Sequence, residues 1–174
     1  MSLHRTLRLH PDSRCTAVTR IDVKVTRPRA GSLLLSYVVT GAIGDLRLPP
    51  PATPLPADEL WRHTCFEAFA RASPGEAYYE FNFAPSTQWA AYRFDGYRTG
   101  RRVAAEIGTP RIDVQSGVGR YALQAALELG GAAWRLGLAA VIEEVGGNKS
   151  YWALTHPPGQ PDFHHSDCFA LEFP

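Results

Sequence analysis

Residues 60–94 have the sequence LWRHTCFEAFARASPGEAYYEFNFAPSTQWAAYRF, and this stretch decides the fold. It contains two of the four tryptophans, five of the eight phenylalanines and three of the seven tyrosines of the chain. Four polar side chains, Glu67, Glu80, Asn82 and Arg93, are spaced among these aromatic residues. Such a segment forms either a core with a few satisfied polar groups or a recognition surface.

Alternation of side chains predicts that residues 78–83 form a half-buried strand. Tyr79, Phe81 and Phe83 share one face, and the other face carries Tyr78, Glu80 and Asn82. The turn residues Ser73-Pro74-Gly75 precede this strand and separate it from TCFEAFA at 64–70, so the two segments are predicted to pair as a hairpin.

A third strand, WAAYRF at 89–94, follows the proline that ends the second one. Its alternation places Trp89 and Arg93 on one face and Tyr92 and Phe94 on the other. If neighbouring polar positions align, one side of the sheet gathers Glu67, Glu80, Asn82 and Arg93.

The rest of the chain repeats short strand patterns between turn signals, without a sustained helical period. Residues 120–129 are rich in alanine and leucine and could form a helix by propensity, but the hairpin spacing on both sides favours a strand. Residues 41–58 hold five of the fourteen prolines, which predicts an extended surface arm, either a connecting loop or a lid over a site. We therefore predict one all-β domain over residues 1–174, an antiparallel two-sheet β-sandwich with a proline-rich arm at 41–58.

Composition excludes several classes of function. A formal net charge of +1 gives no electrostatic basis for binding nucleic acid or an anionic membrane. No apolar run approaches the roughly 20 residues of a membrane span, and the amino-terminal residues lack the apolar core of a secretory signal. These features predict a cytoplasmic protein. They leave its oligomeric state open.

Several side chains are candidates for chemistry. Glu67 and Glu80 on adjacent strands could serve as the two carboxyls of a glycoside hydrolase, or form salt bridges or ligand hydrogen bonds. Trp61, Trp89 and Trp152 offer flat apolar faces for a sugar ring, although tryptophan is more often part of a core. A metal site is not predicted, because the spacing of the remaining candidates matches no zinc signature; these are His156, His164, His165, Asp167 and Cys168.

Three segments resemble the DOMON-like proteins, a largely uncharacterised bacterial branch close to the family 9 carbohydrate-binding modules. They are ELWRHTCFEAFA at 59–70, YYEFNFAPSTQWAAYRF at 78–94 and SYWALTHPPGQPDFHHSDCFALEF at 150–173. The resemblance implies a jelly-roll or immunoglobulin-like β-sandwich with a ligand site on a concave face or at an edge. The positions that it implies for holding a sugar are Trp61, Glu67, Glu80, Asn82, Arg93 and Trp152.

From these residues and this resemblance we expect a non-enzymatic module that binds a sugar or a sugar-like small molecule. One alternative is a carbohydrate-active hydrolase that uses Glu67 and Glu80. Another is a haem-binding domain, but relatives that bind haem use methionine with histidine or lysine, and the only methionine here is Met1. We therefore expect no cofactor, since the sequence supports neither haem nor calcium.

Overall fold

The computed structural model describes residues 2–130 and 133–174, and the segments they form are strands, short 3₁₀ helices, turns and loops. The strands are β1 Ser2–Leu9, β2 Val18–Thr26, β3 Ser32–Gly41, β4 Cys65–Ala72, β5 Tyr78–Phe83, β6 Trp89–Phe94, β7 Arg102–Val103, β8 Arg111–Ser116, β9 Arg120–Glu128, β10 Trp134–Glu143, β11 Lys149–Ala153 and β12 Leu171–Phe173. The 3₁₀ helices are Ile43–Asp45, Leu60–Arg62 and Ser166–Cys168. The described residues contain no α-helix, so the all-β prediction is confirmed.

All the ladders between these strands are antiparallel, in the order β7-β6-β5-β4-β10-β11-β1-β2-β3-β9-β8, with β12 paired to β10. The ladders form two groups, β1-β2-β3-β9-β8 and β7-β6-β5-β4-β10-β11 with β12. Strand β1 links them, because its residues 2–7 pair with β2 whereas Arg8 and Leu9 pair with β11, so the two groups are continuous as one curled sheet. The two-sheet β-sandwich stays a prediction. Residues 120–128 form a strand, β9, as the hairpin spacing predicts. Its ladders to β3 and β8 outweigh the helical propensity of its alanine and leucine residues.

The sheet curls over itself, because residues far apart in the strand order meet in one core. Four strands separate β3 from β4 in that order, yet the Tyr37 hydroxyl donates a hydrogen bond to the Glu67 backbone carbonyl at 2.7 Å. The ring of Phe66 lies 5.2 Å from the ring of Tyr37 and stacks on Tyr121 of β9 at 6.0 Å. The concave side of the curl is therefore closed around buried side chains.

The hydrogen bond between Tyr37 and Glu67 should contribute measurably to stability. We expect Tyr37→Phe to lower the free energy of unfolding by about 1–3 kcal/mol, because a buried carbonyl loses its donor. The matched control is Tyr121→Phe: the Tyr121 hydroxyl is buried without a partner, so its removal should leave stability unchanged or raise it. Urea unfolding of both variants is the measurement, and equal losses would contradict the assigned hydrogen bond.

The hairpin of β4 and β5 has the predicted faces, but both of them are buried. Phe81 and Phe83 belong to the core inside the curl, as expected from the alternation. The opposite face was predicted to be half-exposed, and Glu80 and Asn82 on it are instead buried. A second cluster of apolar side chains covers that face, and it includes Phe163 and Phe169 from the loop between β11 and β12.

The proline-rich arm at 41–58 is exposed over most of its length. Its end runs beside β6, where the Ala57 amide donates to the Trp89 carbonyl at 2.9 Å. Asp58 then contacts two residues near the second cluster: its carboxylate accepts hydrogen bonds from Tyr92 and from Arg101. The arm therefore ends at the buried polar face of β5 and β6.

Candidate functional site

A cavity of about 400 Å³ lies on the outer face of β4, β5, β10 and β11, opposite the core inside the curl. We call it the main cavity. Its floor holds the carboxyl groups of Glu67 and Glu80. Its walls are mainly aromatic, and those side chains are Trp61, Phe94, Tyr151, Phe163 and His164.

Antiparallel register explains why the two floor carboxyls are close. Glu67 pairs with Asn82 and Glu80 pairs with Phe69, so the two glutamates are diagonal neighbours on one face. Side chains in that relation lie roughly 7 Å apart or less at their Cβ atoms. The hairpin therefore brings two carboxyls together without any loop residue.

Glu67 is 3% exposed, and its Oε1 atom is buried without a hydrogen-bond partner. Asn82, which is 0% exposed beside it, likewise has an unpartnered Oδ1 atom. Buried polar atoms are nearly always hydrogen-bonded in folded proteins, so an unpartnered pair next to a cavity needs an explanation. One explanation is a ligand in the cavity that donates hydrogen bonds to Glu67 Oε1 and Asn82 Oδ1.

Glu80, which is 5% exposed, is hydrogen-bonded through one of its oxygens. Its Oε1 accepts a hydrogen bond from Asn82 Nδ2 at 3.0 Å, and its Oε2 lies 3.6 Å from His164 Nε2. The other ring nitrogen of His164, Nδ1, is 2.7 Å from the Tyr78 hydroxyl. Burial lowers the pKa of His164 to about 4, and Arg98 acts in the same direction, so this imidazole is neutral at pH 7.

The two floor carboxyls therefore differ in environment. Burial raises the pKa of Glu67 well above its ordinary value of 4.5, and the charge of Glu80 adds to this effect. Burial also raises the pKa of Glu80, but the hydrogen bond from Asn82 and the charge of Arg101 oppose the rise. Glu67 is the carboxyl that stays protonated to the higher pH.

The raised pKa of Glu67 has a consequence for stability, and its sign follows from proton linkage. Above pH 4.5 the unfolded chain releases the Glu67 proton, whereas the folded chain retains it until its higher pKa is reached. The contribution of Glu67 to stability is thus most favourable below pH 4.5 and is lost as the pH rises toward the folded pKa. At neutral and alkaline pH this buried carboxyl is a cost to the fold.

The mouth of the cavity is formed by the arm and by the loop between β6 and β7. Trp61 lies on the 3₁₀ helix that follows the arm, edge-on to Tyr92 with ring centroids 6.3 Å apart. The Arg101 guanidinium lies 5.2 Å from the Trp61 ring and 4.0 Å from the Tyr92 ring, and it donates to Asp58 at 2.8 Å. These contacts fix the orientation of the Trp61 wall.

The opposite side of the mouth comes from the loop between β11 and β12. Asp162 in this loop accepts a hydrogen bond from Arg98 at 2.7 Å and another from the His164 amide at 3.1 Å. Tyr97 also donates to Asp162, so this one carboxylate ties together the loop after β6 and the loop after β11. Arg98 and Arg101 thereby reach the cavity already paired with carboxylates.

The structure brings together some of the six residues predicted to hold a ligand and separates two of them. Trp61, Glu67 and Glu80 line the main cavity, and Asn82 lies beside its floor. Arg93 pairs with Tyr79 on the core face, and its guanidinium lies 3.5 Å from Glu106. The expectation that Arg93 shares a side with the glutamates is therefore wrong.

Trp152 is the second separated residue. It pairs with Ala140 on the core face of β10, is buried inside the curl, and donates its Nε1 hydrogen to Ser150 Oγ at 2.9 Å. Trp89 lies on the same core face. Of the three tryptophans considered as platforms, only Trp61 lines the main cavity.

Eight residues that line the main cavity are not among the positions that the sequence predicts to hold a ligand, and four of the eight carry polar groups: Arg98, Arg101, Tyr151 and His164. His164 had been considered as a metal ligand. Within the part of the chain that the structure describes, no three histidine, cysteine, aspartate or glutamate side chains are grouped so as to hold a metal ion. No helix in the described ranges is both long and apolar enough to cross a membrane.

Comparisons with known proteins support the fold alone. No protein-family model matches the sequence, and no curated protein matches it either. Among solved structures, the chain is similar to a protein of Bacteroides uniformis described as a "putative carbohydrate-binding protein". The two share 12% sequence identity and a TM-score of 0.65, over 95% of this chain and 83% of the other.

Proposed function

We propose that this protein is a non-enzymatic binding module for a sugar or a sugar-like small molecule, which binds in the main cavity. The observation on which this rests is the buried Oε1 atom of Glu67, which has no hydrogen-bond partner at the floor of an aromatic-walled cavity. An unpartnered buried polar group costs roughly 1–3 kcal/mol of stability. A ligand hydroxyl that bonds Glu67 would satisfy the group and offset that cost.

The walls suit the rest of a sugar ring. A pyranose presents C–H groups on its faces and hydroxyls on its edge, so it pairs with flat aromatic surfaces and with planar polar groups. Trp61 and Tyr151 are partly exposed and supply such surfaces, while Glu67 and Glu80 bind hydroxyls. The volume of about 400 Å³ is within the range of small-molecule sites.

Two similarities support the proposal independently of the cavity. Three segments of the sequence resemble the DOMON-like proteins and the family 9 carbohydrate-binding modules. The fold is similar to that of a structure described as a "putative carbohydrate-binding protein". We propose on this basis that the curled sheet is a variant of the sandwich found in those modules. In this proposal, the side chains that line the main cavity bind the sugar without residues from a partner protein.

A carbohydrate hydrolase is the second candidate, because the two floor carboxyls differ in the way that acid and base catalysis requires. Burial raises the pKa of both carboxyls, but at Glu80 the hydrogen bond from Asn82 and the charges of two arginines oppose the rise, so Glu67 is the one suited to act as general acid. Glycosidases use such a pair on either side of the scissile bond. A binding module would release the sugar intact, whereas a hydrolase would release cleaved sugar, so recovery of the sugar distinguishes the two.

The test is to titrate the purified protein with a panel of mono- and disaccharides and to measure binding by intrinsic tryptophan fluorescence and by calorimetry. We expect saturable binding to at least one sugar, and Trp61→Ala should weaken it about tenfold because one stacking surface of roughly 1–2 kcal/mol is removed. Recovery of the intact sugar is expected for a binding module.

The control is Arg93→Ala, which removes a predicted site residue that lies on the opposite face of the sheet. Its affinity should equal that of the unaltered protein. Absence of binding across the panel would exclude the proposed function. Sugar cleavage that disappears in both Glu67→Gln and Glu80→Gln would establish the hydrolase instead.

A further inference from the structure

A second hollow of about 270 Å³ adjoins the main cavity, and the two share Tyr151 and Pro161 as a common wall. The second hollow is lined further by Asp12, Ser13, Arg14, Asn148, Lys149 and Gln160. It lies on the amino-terminal side of β11, beyond the outer edge of the main cavity. A ligand in the main cavity that extends past Tyr151 would reach the second hollow.

From this arrangement we propose that the ligand is an oligosaccharide of at least two rings, with one ring in the main cavity and the next in the second hollow. The inference rests on the proposed sugar binding and names the class of sugar. It assigns the second hollow as a binding subsite.

The rim of the second hollow is held in place by hydrogen bonds between two separate segments. The His10 amide donates to the Tyr151 carbonyl at 2.8 Å, and the Tyr151 amide donates to Ser13 Oγ at 3.1 Å. A third bond runs from Asn148 Nδ2 to the Arg14 carbonyl at 2.8 Å. The residues after β1 are thereby fixed against β11, so the hollow exists before a ligand arrives.

The side chains that face the second hollow are polar and available. The side chains of Asp12, Lys149 and Gln160 make no hydrogen bond or ion pair with other residues in the ranges 2–130 and 133–174. They provide a carboxylate, an ammonium group and an amide at three points around one hollow. Sugar hydroxyls both donate and accept hydrogen bonds, so a ring there can bond all three.

The division of chemistry between the two spaces also favours a sugar chain. The main cavity combines aromatic walls with buried carboxyls, whereas the second hollow has Tyr151 as its aromatic side chain and an exposed polar rim. A ring in the first space lies between aromatic walls, and a ring in the second is held by its hydroxyls. This is the arrangement expected when one unit of a chain is anchored and the next leads out to solvent.

The experiment compares mono-, di- and trisaccharides of the same unit by calorimetry, using glucose, xylose and galacturonic acid with their 1,4-linked oligomers. For the unit that binds, the disaccharide should bind about tenfold more tightly than the monosaccharide. The double variant Asp12→Ala with Gln160→Ala should abolish this gain and leave the monosaccharide affinity unchanged. The matched control is Asp113→Ala with Gln115→Ala, an exposed pair on β8 that should alter neither affinity.

The outcomes separate the two proposals. Equal affinities for mono- and disaccharide, or an equal loss for both in the Asp12 and Gln160 variant, would overturn the second subsite while sugar binding stands. No binding to any member of the series, together with silence across the wider panel, would overturn both. A gain with length that survives the double variant would also exclude these residues as the subsite.

Discussion

Replacing Phe83 by alanine is expected to lower the free energy of unfolding by about 3–5 kcal/mol, the range for removing a buried aromatic ring. Phe83 is fully buried, opposite Phe66 on β4 and Trp89 on β6. Its ring is nearly parallel to that of Phe81, with centroids 6.5 Å apart. The neighbouring side chains are fixed on both adjacent strands and cannot move into the space that the ring leaves. A cavity therefore remains, so we expect the full loss of stability for such a substitution.

Urea unfolding followed by fluorescence measures this loss, and an unchanged dependence on urea concentration shows that the unfolded state is unaltered. Val118→Ala is the control, because that side chain is 96% exposed in a turn and should change stability by less than about 0.5 kcal/mol. Near-normal stability of Phe83→Ala would mean that the core lies on the other face of β5. The assignment of Glu80 and Asn82 to the cavity face of β5 would then be wrong as well.

Strand alternation was enough to predict the faces of β5, because within a strand the side chains alternate strictly. The β4–β5 hairpin followed from the turn residues between two such patterns. What alternation within a strand does not give is the register between strands. Arg93 illustrates the point: it pairs with Tyr79, and a shift of one residue would place it opposite Glu80 on the cavity face.

The burial of Glu80 and Asn82 could not be predicted from β5 itself. It depends on the loop between β11 and β12, whose Phe163 and Phe169 cover that face of the sheet. This loop has no helical or strand period, so its path is set by tertiary contacts, chiefly the hydrogen bonds to Asp162. A segment rich in proline and histidine gives no local signal of where it packs.

The same reason explains the missed cavity residues. Arg98 and Arg101 stand in a basic stretch that is typical of a surface loop, and each reaches the cavity only through a carboxylate distant in sequence. The partners of Arg98 and Arg101 are Asp162 and Asp58, 64 and 43 residues away. Such pairs depend on topology, which the strand patterns left undetermined.

Replacing Glu67 by methionine is expected to weaken sugar binding by about 10- to 100-fold, since a ligand hydroxyl left in a buried site without its partner costs roughly 1–3 kcal/mol. The same change should raise the free energy of unfolding by about 1–3 kcal/mol at pH 8, because a buried polar group without a partner is replaced by an apolar one of similar size. Near pH 4.5 the gain should be smaller, since Glu67 is then protonated in the folded chain and about half protonated in the unfolded chain.

Calorimetric titration with the best sugar of the panel, and urea unfolding at the two pH values, measure both effects on one variant. A change of opposite sign in the two quantities is the informative result. If Glu67 serves packing, its replacement should lower the free energy of unfolding; if it serves a ligand, its replacement should weaken sugar binding and raise the free energy of unfolding. The matched control is Glu172→Met, a change at an exposed position on β12 that should alter neither quantity. Loss of stability together with unchanged affinity would assign Glu67 to the fold and remove it from the site.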